Sequence, residues 1–203
     1  MTPLRFYFDF TSTFSYIAVH RVDELAARHG RTVDWRAISL GHLFKAQGIT
    51  PPPSIPAKFK YLMLDFKRSC AREGLSCKLP DPFPPDVRLA RQLFWHLKVR
   101  DERLSHAYAK AIMSALFGRG ETVASAGEIA QACRAVAGFS PDDIAGAADD
   151  AAAKAAVVSV LEDATADGMI GAPFVVLDGE PFWGADRLGE LEQRLATAAC
   201  PTA

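Results

Sequence analysis

Residues 5–18 read RFYFDFTSTFSYIA and join a predicted strand to a predicted helix through a short polar turn. Arg5 to Phe10 is short, rich in aromatic residues and partly alternating, which is typical of a sheet strand. The residues that follow, Thr11-Ser12-Thr13, offer several side chains that cap helix N-termini. Because a helix N-terminus carries free N–H groups and a partial positive charge, this turn is the first candidate anion site of the chain.

The chain downstream of this turn predicts one helix and then a second strand. Phe14, Ala18 and Val22 recur at helical spacing, and Gly30 stands where a helix commonly ends. Residues 32–38, TVDWRAI, alternate apolar and polar side chains as a strand does. A strand–helix–strand unit of this length favours a parallel strand pair with a right-handed crossover.

The middle of the chain predicts helices between two proline-rich breaks. ITPPPSIP (49–56) is expected not to be helical, because prolines lack a backbone donor and restrict their neighbours, and LPDPFPPD (79–86) is the second break. Helical patterns run over 57–72 and from 86 to about 167. These helices carry enough apolar faces to build a core of their own.

The last part of the chain returns to strand patterns. FVVL at 174–177 is a short buried strand, Asp178-Gly179 is a two-residue hairpin signal, and residues 181–183 are expected to pair back. Asp186 is placed to cap a closing helix. The two ends of the chain are therefore expected to complete one sheet. This predicts an α/β domain formed by residues 1–42 and 168–203, with residues 43–167 as an inserted helical domain.

The composition excludes several classes of function. The chain has 203 residues, of which 49% are hydrophobic and 23% charged, and this is ordinary for a globular protein. With 23 Lys and Arg against 24 Asp and Glu, its formal charge of -1 lacks the basic excess that nucleic-acid binding uses. No apolar run approaches the ~20 residues that span a bilayer, and Asp9 interrupts the stretch where a signal peptide is uncharged. A cytoplasmic protein is expected, with neither nucleic acid nor membrane as a partner.

The four cysteines, Cys70, Cys77, Cys133 and Cys200, form no CxxC motif and no cluster with zinc-site spacing. Because cytoplasmic thiols are normally reduced, we expect them to be small buried hydrophobic side chains. A disulfide between Cys70 and Cys77 is the one local alternative. No metal site is expected, and the five histidines share no spacing that indicates a role.

Three segments carry a resemblance to known proteins: FYFDFTSTFSYIA (6–18), PAKFKYLMLDFKR (56–68) and GAPFVVLDGEPFWGADRL (171–188). They resemble, in the same order, the 2-hydroxychromene-2-carboxylate isomerases and the related kappa-class glutathione transferases. The similarity covers essentially the whole chain and is most specific at its two ends. It implies a thioredoxin-like domain with an inserted all-helical domain, as in disulfide oxidoreductases of the DsbA type.

The resemblance also implies glutathione as cofactor and a serine as the catalytic residue. Disulfide exchange needs two thiols in a CxxC motif, whereas this chain has serines at positions 12 and 15 of the helix start. Ser12 matches the catalytic serine of the family, and its hydroxyl is suited to stabilise the thiolate of glutathione. From spacing alone, simple N-capping is the plainer interpretation of Ser12.

Further residues match binding positions of the family. Ala172 and Pro173 correspond to a dipeptide, usually cis, that pairs with the cysteinyl part of glutathione, although a proline also commonly starts an edge strand. Asp186 and Arg187 match an Asp-Arg pair near the γ-glutamyl end, where a carboxylate suits the free amine. Lys58 is expected to meet a carboxylate of glutathione or substrate, or else to be a solvated lysine.

The substrate implied by the resemblance is a small aromatic carboxylate. The isomerases interconvert 2-hydroxychromene-2-carboxylate and trans-o-hydroxybenzylidenepyruvate by reversible thiolate addition, in the catabolism of naphthalene-type compounds. Phe14 and Tyr61 are the aromatic candidates for the wall of such a pocket, although most aromatic side chains fill cores. A related aromatic conjugated acid fits the same chemistry. Members of the family are often dimers, so a homodimer is a further expectation.

Two departures from the family pattern keep other functions open. Thr13 stands where the family usually has proline, and no asparagine precedes the prolines near Thr50. The first alternative is a kappa-like glutathione transferase that conjugates electrophiles. The second is a thioredoxin-fold protein that binds glutathione without catalysis.

Overall fold

A computed structural model describes residues 2–198 and contains four strands and ten α-helices in that range. The strands are β1 (Leu4–Phe8), β2 (Val33–Ala37), β3 (Phe174–Leu177) and β4 (Glu180–Trp183). The helices are α1 (Thr13–Val19), α2 (Val22–Arg28), α3 (Leu40–Gln47), α4 (Pro56–Arg72), α5 (Arg88–Arg100), α6 (Glu102–Met113), α7 (Ala126–Ala132), α8 (Pro141–Asp149), α9 (Ala151–Ala166) and α10 (Leu188–Ala198).

The strands form one mixed sheet in the order β2-β1-β3-β4. β1 runs parallel to β2, with Phe6 opposite Trp35, which confirms the crossover predicted from the first 38 residues. β1 and β3 are antiparallel, and β3 pairs with β4 through a hairpin at Asp178-Gly179. Both turn residues have positive φ values, 50° and 92°, as a two-residue hairpin of this kind requires.

Both faces of the sheet are buried at β1 and β3, whereas the edge strand β4 is largely exposed, and this explains the apolar character of β1. Phe6 and Phe8 pack on one face against Trp35, with ring centroids 5.1 and 5.5 Å away, in a core shared with α1, α2, α5 and α6. Tyr7 and Phe174 point to the other face, where α9 contributes Val160 and Ala164. β1 therefore carries large side chains at successive positions rather than a strict alternation.

A polar cluster connects β1 to the end of α9. The carboxylate of Asp167 accepts two bonds of 2.7 Å from the Arg5 guanidinium and one of 2.6 Å from the Tyr7 hydroxyl. Burial acts to raise the pKa of Asp167, but these bonds outweigh it and the pKa is lowered. The cluster fixes the point at which the chain leaves the helical region and returns to the sheet.

Several predicted boundaries were wrong, each for a local reason. The predicted first helix is two helices, because the chain makes a tight turn at His20 and Arg21, whose N–H groups bond three residues back. Part of the first proline-rich break is helical after all: Pro52–Ser54 forms a 3₁₀ turn and α4 begins at Pro56, since proline lacks only a bond that the first helical turn does not make. The region 86–167 is interrupted by loops at 120–125 and 133–140.

The overall architecture is the predicted α/β fold with helices inserted between β2 and β3. The exact division into residues 1–42 and 168–203 against 43–167 stays a prediction. None of the helices in residues 2–198 combines the length and apolar character needed to cross a membrane.

Asp23 should make the folded state sensitive to acid. Its carboxylate, at the start of α2, accepts bonds of 2.8 Å from Trp35 on β2 and from Lys110 on α6, and lies 3.5 Å from His106. Burial acts to raise the pKa of Asp23, but the bonds from His106 and Lys110 lower it to about 2. The stabilisation is therefore complete above the ordinary Asp pKa near 3.9 and is lost as pH falls through about 2.

Chemical unfolding at pH 6, 4 and 2 checks this. Asp23→Asn should have a lower free energy of unfolding than wild type at pH 6, and this difference, the stability gap, should shrink toward pH 2. A gap that is the same at all three values would contradict the assignment.

Candidate active site

The turn after β1 is held by the buried carboxylate of Asp9, which is 1% exposed. Oδ1 accepts from the Thr11 N–H at 2.8 Å and from the Arg91 guanidinium at 3.0 Å, and Oδ2 accepts from the Leu40 N–H at 2.5 Å. β1 ends at Phe8 rather than at the predicted Phe10. Asp9 therefore lies just outside the strand, and its carboxylate connects the turn to the first turns of α3 and α5.

Ser12 caps α1 and also contacts the loop before β3. Its Oγ accepts from the Ser15 N–H at 3.1 Å, and its hydroxyl donates to the Ala172 carbonyl oxygen at 3.0 Å. Both the capping role and the closeness to Ala172-Pro173 are therefore present in one side chain. The Ala172–Pro173 peptide bond is cis, as expected from the resemblance.

The loop around Ala172 leaves its backbone amide available. The Pro173 carbonyl accepts from the Gly184 N–H at 2.9 Å, whereas the Ala172 N–H has no partner among the residues that the structure describes. A Cβ at the neighbouring Gly171 would lie 2.6 Å from Trp183 Nε1, so a larger residue there would force the half-exposed indole to move. The Ala172 carbonyl accepts from the Ser12 hydroxyl, and the two residues line the same cavity.

These groups open onto a cavity of about 1460 Å³. This volume exceeds the roughly 300–1,000 Å³ of ordinary small-molecule sites, so the cavity has room for more than one small molecule. All of the predicted site residues except Lys58 line it: Ser12, Phe14, Tyr61, Ala172, Pro173, Asp186 and Arg187. Lys58 is exposed at the start of α4 and is not part of the wall.

The predicted residues occupy different parts of the cavity. Phe14 packs on Phe66 with ring centroids 6.5 Å apart, whereas Tyr61 is 60% exposed. Asp186 does not cap α10: it lies in a 3₁₀ turn, Ala185–Arg187, and accepts a 3.0 Å bond from Arg187. The capping interpretation of Asp186 was wrong because this turn separates it from the helix.

Sequence reasoning missed the buried ion pair on the wall. Arg91, whose side chain is 8% exposed, bonds Asp9 and also donates from Nε to the Ile38 carbonyl at 2.6 Å. In the sequence, Asp9 stands out only as a charge that breaks a signal-peptide pattern. The available signal was a carboxylate directly after an aromatic strand, which needs a partner when buried, but the partner is 82 positions away.

The stretch around Thr50, where the family pattern has an asparagine, presents apolar residues to the cavity. Ile49 and Pro51 to Pro53 line the cavity where that side chain is expected. Thr13, in place of the usual proline, is the first residue of α1 and also lines the cavity. Both departures from the family pattern, Thr13 and the missing asparagine, therefore fall on residues that line the cavity.

Among the residues that the structure describes, no cysteine lines this wall. Cys70, Cys77 and Cys133 are free, and none of them lines the cavity. Burial raises the pKa of Cys70 and of Cys133 to about 12, so both stay protonated. Cys200 lies outside the described residues. Among residues 2–198, no group of three or more His, Cys, Asp or Glu side chains is placed to hold a metal.

Comparisons with known proteins agree with the fold. The family model of the DSBA-like thioredoxin domain matches residues 3–196, and the chain belongs to this family. A 2-hydroxychromene-2-carboxylate isomerase of Sphingobium xenophagum is 28% identical over 192 residues, 94% of this chain and 96% of the relative. Glutathione S-transferase kappa 1 of Caenorhabditis elegans is 25% identical over 197 residues, 90% of this chain and 85% of the relative.

The architecture also matches a solved enzyme structure. A structure of 2-hydroxychromene-2-carboxylate isomerase has a TM-score of 0.83 and 26% identity, covering 97% of this chain and 96% of that one. The resemblance in the three quoted segments is therefore confirmed at the level of family and fold.

Replacing Arg91 by methionine should destabilise the protein strongly. It leaves the Asp9 carboxylate buried without its charged partner, and breaking a buried pair in this way costs about 3–5 kcal/mol. The matched control is Arg88→Met, since Arg88 is exposed and pairs with the exposed Asp86; its effect should stay within about 1 kcal/mol.

Urea unfolding of the two variants measures the difference. Equal stabilities would mean that the Asp9–Arg91 pair does not hold the turn.

Proposed function

We propose that this protein is a glutathione-dependent isomerase acting on 2-hydroxychromene-2-carboxylate or a related aromatic conjugated acid. The observation that carries the proposal is a serine hydroxyl, not a thiol, beside the cis Ala172–Pro173 peptide at the base of a large cavity. Because none of the described cysteines Cys70, Cys77 and Cys133 lines the cavity, we assign the sulfur nucleophile to a second molecule. The named functions of the relatives support the same choice.

The described residues fit glutathione. The free N–H of Ala172 and its carbonyl oxygen suit an antiparallel pair of bonds with the cysteinyl part of the tripeptide. In the same proposal Asp186 binds the free amine, Arg187 a carboxylate at that end, and exposed Lys58 reaches a carboxylate from outside the wall. When bound, glutathione supplies a sulfur nucleophile that adds reversibly to a conjugated alkene, so that the former double bond rotates before the sulfur leaves.

Ser12 is assigned the task of keeping that sulfur ionised. A free thiol with a pKa near ~8.5 is mostly protonated at neutral pH, and a hydrogen bond to the charged form lowers its pKa. Because α1 has only seven residues, its dipole is a small contribution and the Ser12 hydroxyl is the main one. The hydroxyl donates to Ala172 in the free protein; pairing of that carbonyl with the tripeptide frees the proton to turn toward the sulfur.

Other wall residues are assigned to the substrate. Arg91 is the buried cation suited to hold the substrate carboxylate, because Asp9 and the Ile38 carbonyl fix its guanidinium. Phe14 and Tyr61 supply flat apolar surface for an aromatic ring. We further propose a role in the breakdown of naphthalene-type compounds, a cytoplasmic location and a homodimer, as the resemblance implies.

A second candidate is a kappa-like transferase that conjugates electrophiles. The apolar wall at Ile49 and Pro51–Pro53, where the isomerase pattern has an asparagine, favours it. An isomerase regenerates free glutathione, whereas a transferase consumes it in stable adducts with chlorodinitrobenzene. A non-catalytic protein would show glutathione-dependent thermal stabilisation and no turnover in either assay.

The first experiment follows the absorbance of 2-hydroxychromene-2-carboxylate mixed with the pure protein, with and without glutathione. We expect a spectral change that requires both protein and glutathione and leaves the glutathione concentration unchanged. If the absorbance does not change in a glutathione-dependent way, the isomerase proposal is contradicted.

Ser12→Ala should separate catalysis from stability. Loss of an N-cap costs about 1 kcal/mol of unfolding free energy, whereas loss of the thiolate partner should lower turnover by a factor well above the roughly tenfold that 1.4 kcal/mol represents. Ser125→Ala, which removes the N-cap of the distant helix α7, is the matched control for the cap alone. Turnover that falls no more in Ser12→Ala than in Ser125→Ala would show that Ser12 is structural.

A further inference from the structure

A second serine on the cavity wall is paired with a histidine. Ser39 Oγ lies 2.8 Å from Nδ1 of His42, one turn along α3. Ser39 is 7% exposed and lines the cavity, whereas His42 is exposed to solvent. The pair therefore connects the interior of the site to the outside through one hydrogen bond.

The pair is not explained by helix capping. Ser39 is the N-cap residue of α3, yet its side chain makes no capping bond. Asp9 takes over that task by accepting from the Leu40 N–H. The Ser39 hydroxyl is thus left free for His42, an arrangement that activates a hydroxyl for proton transfer when the imidazole carries its proton on Nε2.

Ser39 follows a residue that contacts Arg91. Arg91, assigned above to the substrate carboxylate, bonds the carbonyl of Ile38, the residue directly before Ser39. In 2-hydroxychromene-2-carboxylate the carboxylate and the hemiketal hydroxyl are on the same carbon. A side chain next to the carboxylate partner is therefore suited to meet that hydroxyl.

We propose that Ser39 and His42 form a proton relay for opening and closing the chromene ring, a step separate from the thiol-dependent rotation; this rests on the proposed function. Ser39 Oγ takes the hemiketal proton as its own proton passes to His42 Nδ1. The electrons of the broken O–H bond form the ketone C=O, the ring C–O bond breaks, and its electron pair stays on the phenolate oxygen. The phenolate then takes the proton back from His42 through Ser39, so the number of protons on substrate and protein is unchanged.

In this scheme Ser39 is a catalytic residue and His42 a positioning residue that acts through it. Proton transfer by a placed side chain typically contributes 10²–10⁴-fold to a rate. Ser39→Ala is expected to fold because the Ser39 hydroxyl makes no capping bond, and His42→Ala because the His42 side chain is exposed. Ser159→Ala and His29→Ala, which change residues outside the cavity wall, are the matched controls.

The test compares two substrates in the presence of glutathione. One is the chromene carboxylate, which must open its ring; the other is the cis open-chain acid with its phenol methylated, which has no ring and no phenol proton. Both relay variants should lower kcat for the chromene by about 10²-fold with little change in KM, and leave the methyl ether turnover and the glutathione-dependent thermal shift unchanged. Added imidazole should restore turnover to His42→Ala and not to Ser39→Ala.

The outcomes separate the two proposals. Equal loss on both substrates, or full activity of both variants on the chromene, would overturn the relay while leaving the isomerase in place. A wild-type protein that turns over neither substrate would overturn the isomerase and the relay with it.

Discussion

The buried carboxylate of Asp9 is the interaction on which the site depends. It accepts bonds from the turn after β1, from the first amide of α3 and from Arg91 on α5, three segments that are far apart in sequence. A buried charge of this kind is tolerated only when its partners are in place. Two partners of Asp9 stand next to serines that line the cavity: Thr11 precedes Ser12, and Leu40 follows Ser39. The third partner, Arg91, lines the cavity itself.

The fold could be predicted from sequence where local signals are strong. The strand–turn–helix of residues 5–18, the left-handed Gly30 just after α2 and the Asp178-Gly179 hairpin each depend on neighbouring residues only, and all three are present. The break between α1 and α2 could not be predicted, because Val22 continues the same apolar pattern and the turn changes only hydrogen bonding at two residues.

The site was predictable only in part, because contacts over long sequence distances decide it. Resemblance to the family indicates Ser12 and Ala172, which contact each other across 160 positions. No sequence pattern indicates Arg91 or Ser39, since an arginine in a helix and a serine before one are common, and the partners of Arg91 are remote in sequence. Lys58 follows a family pattern, but the orientation of α4 leaves it outside the wall.

The replacement of a thiol by a hydroxyl determines the chemistry that we propose. An alcohol at this turn cannot exchange disulfides, but it keeps a polar proton beside Ala172. The most direct test of this account is the thiolate absorbance near 240 nm of glutathione titrated with pH while bound to the protein. The account predicts a pKa clearly below the free value of ~8.5 in wild type, and a return toward that value in Ser12→Ala. A bound thiol that titrates like free glutathione in the wild-type protein would contradict it.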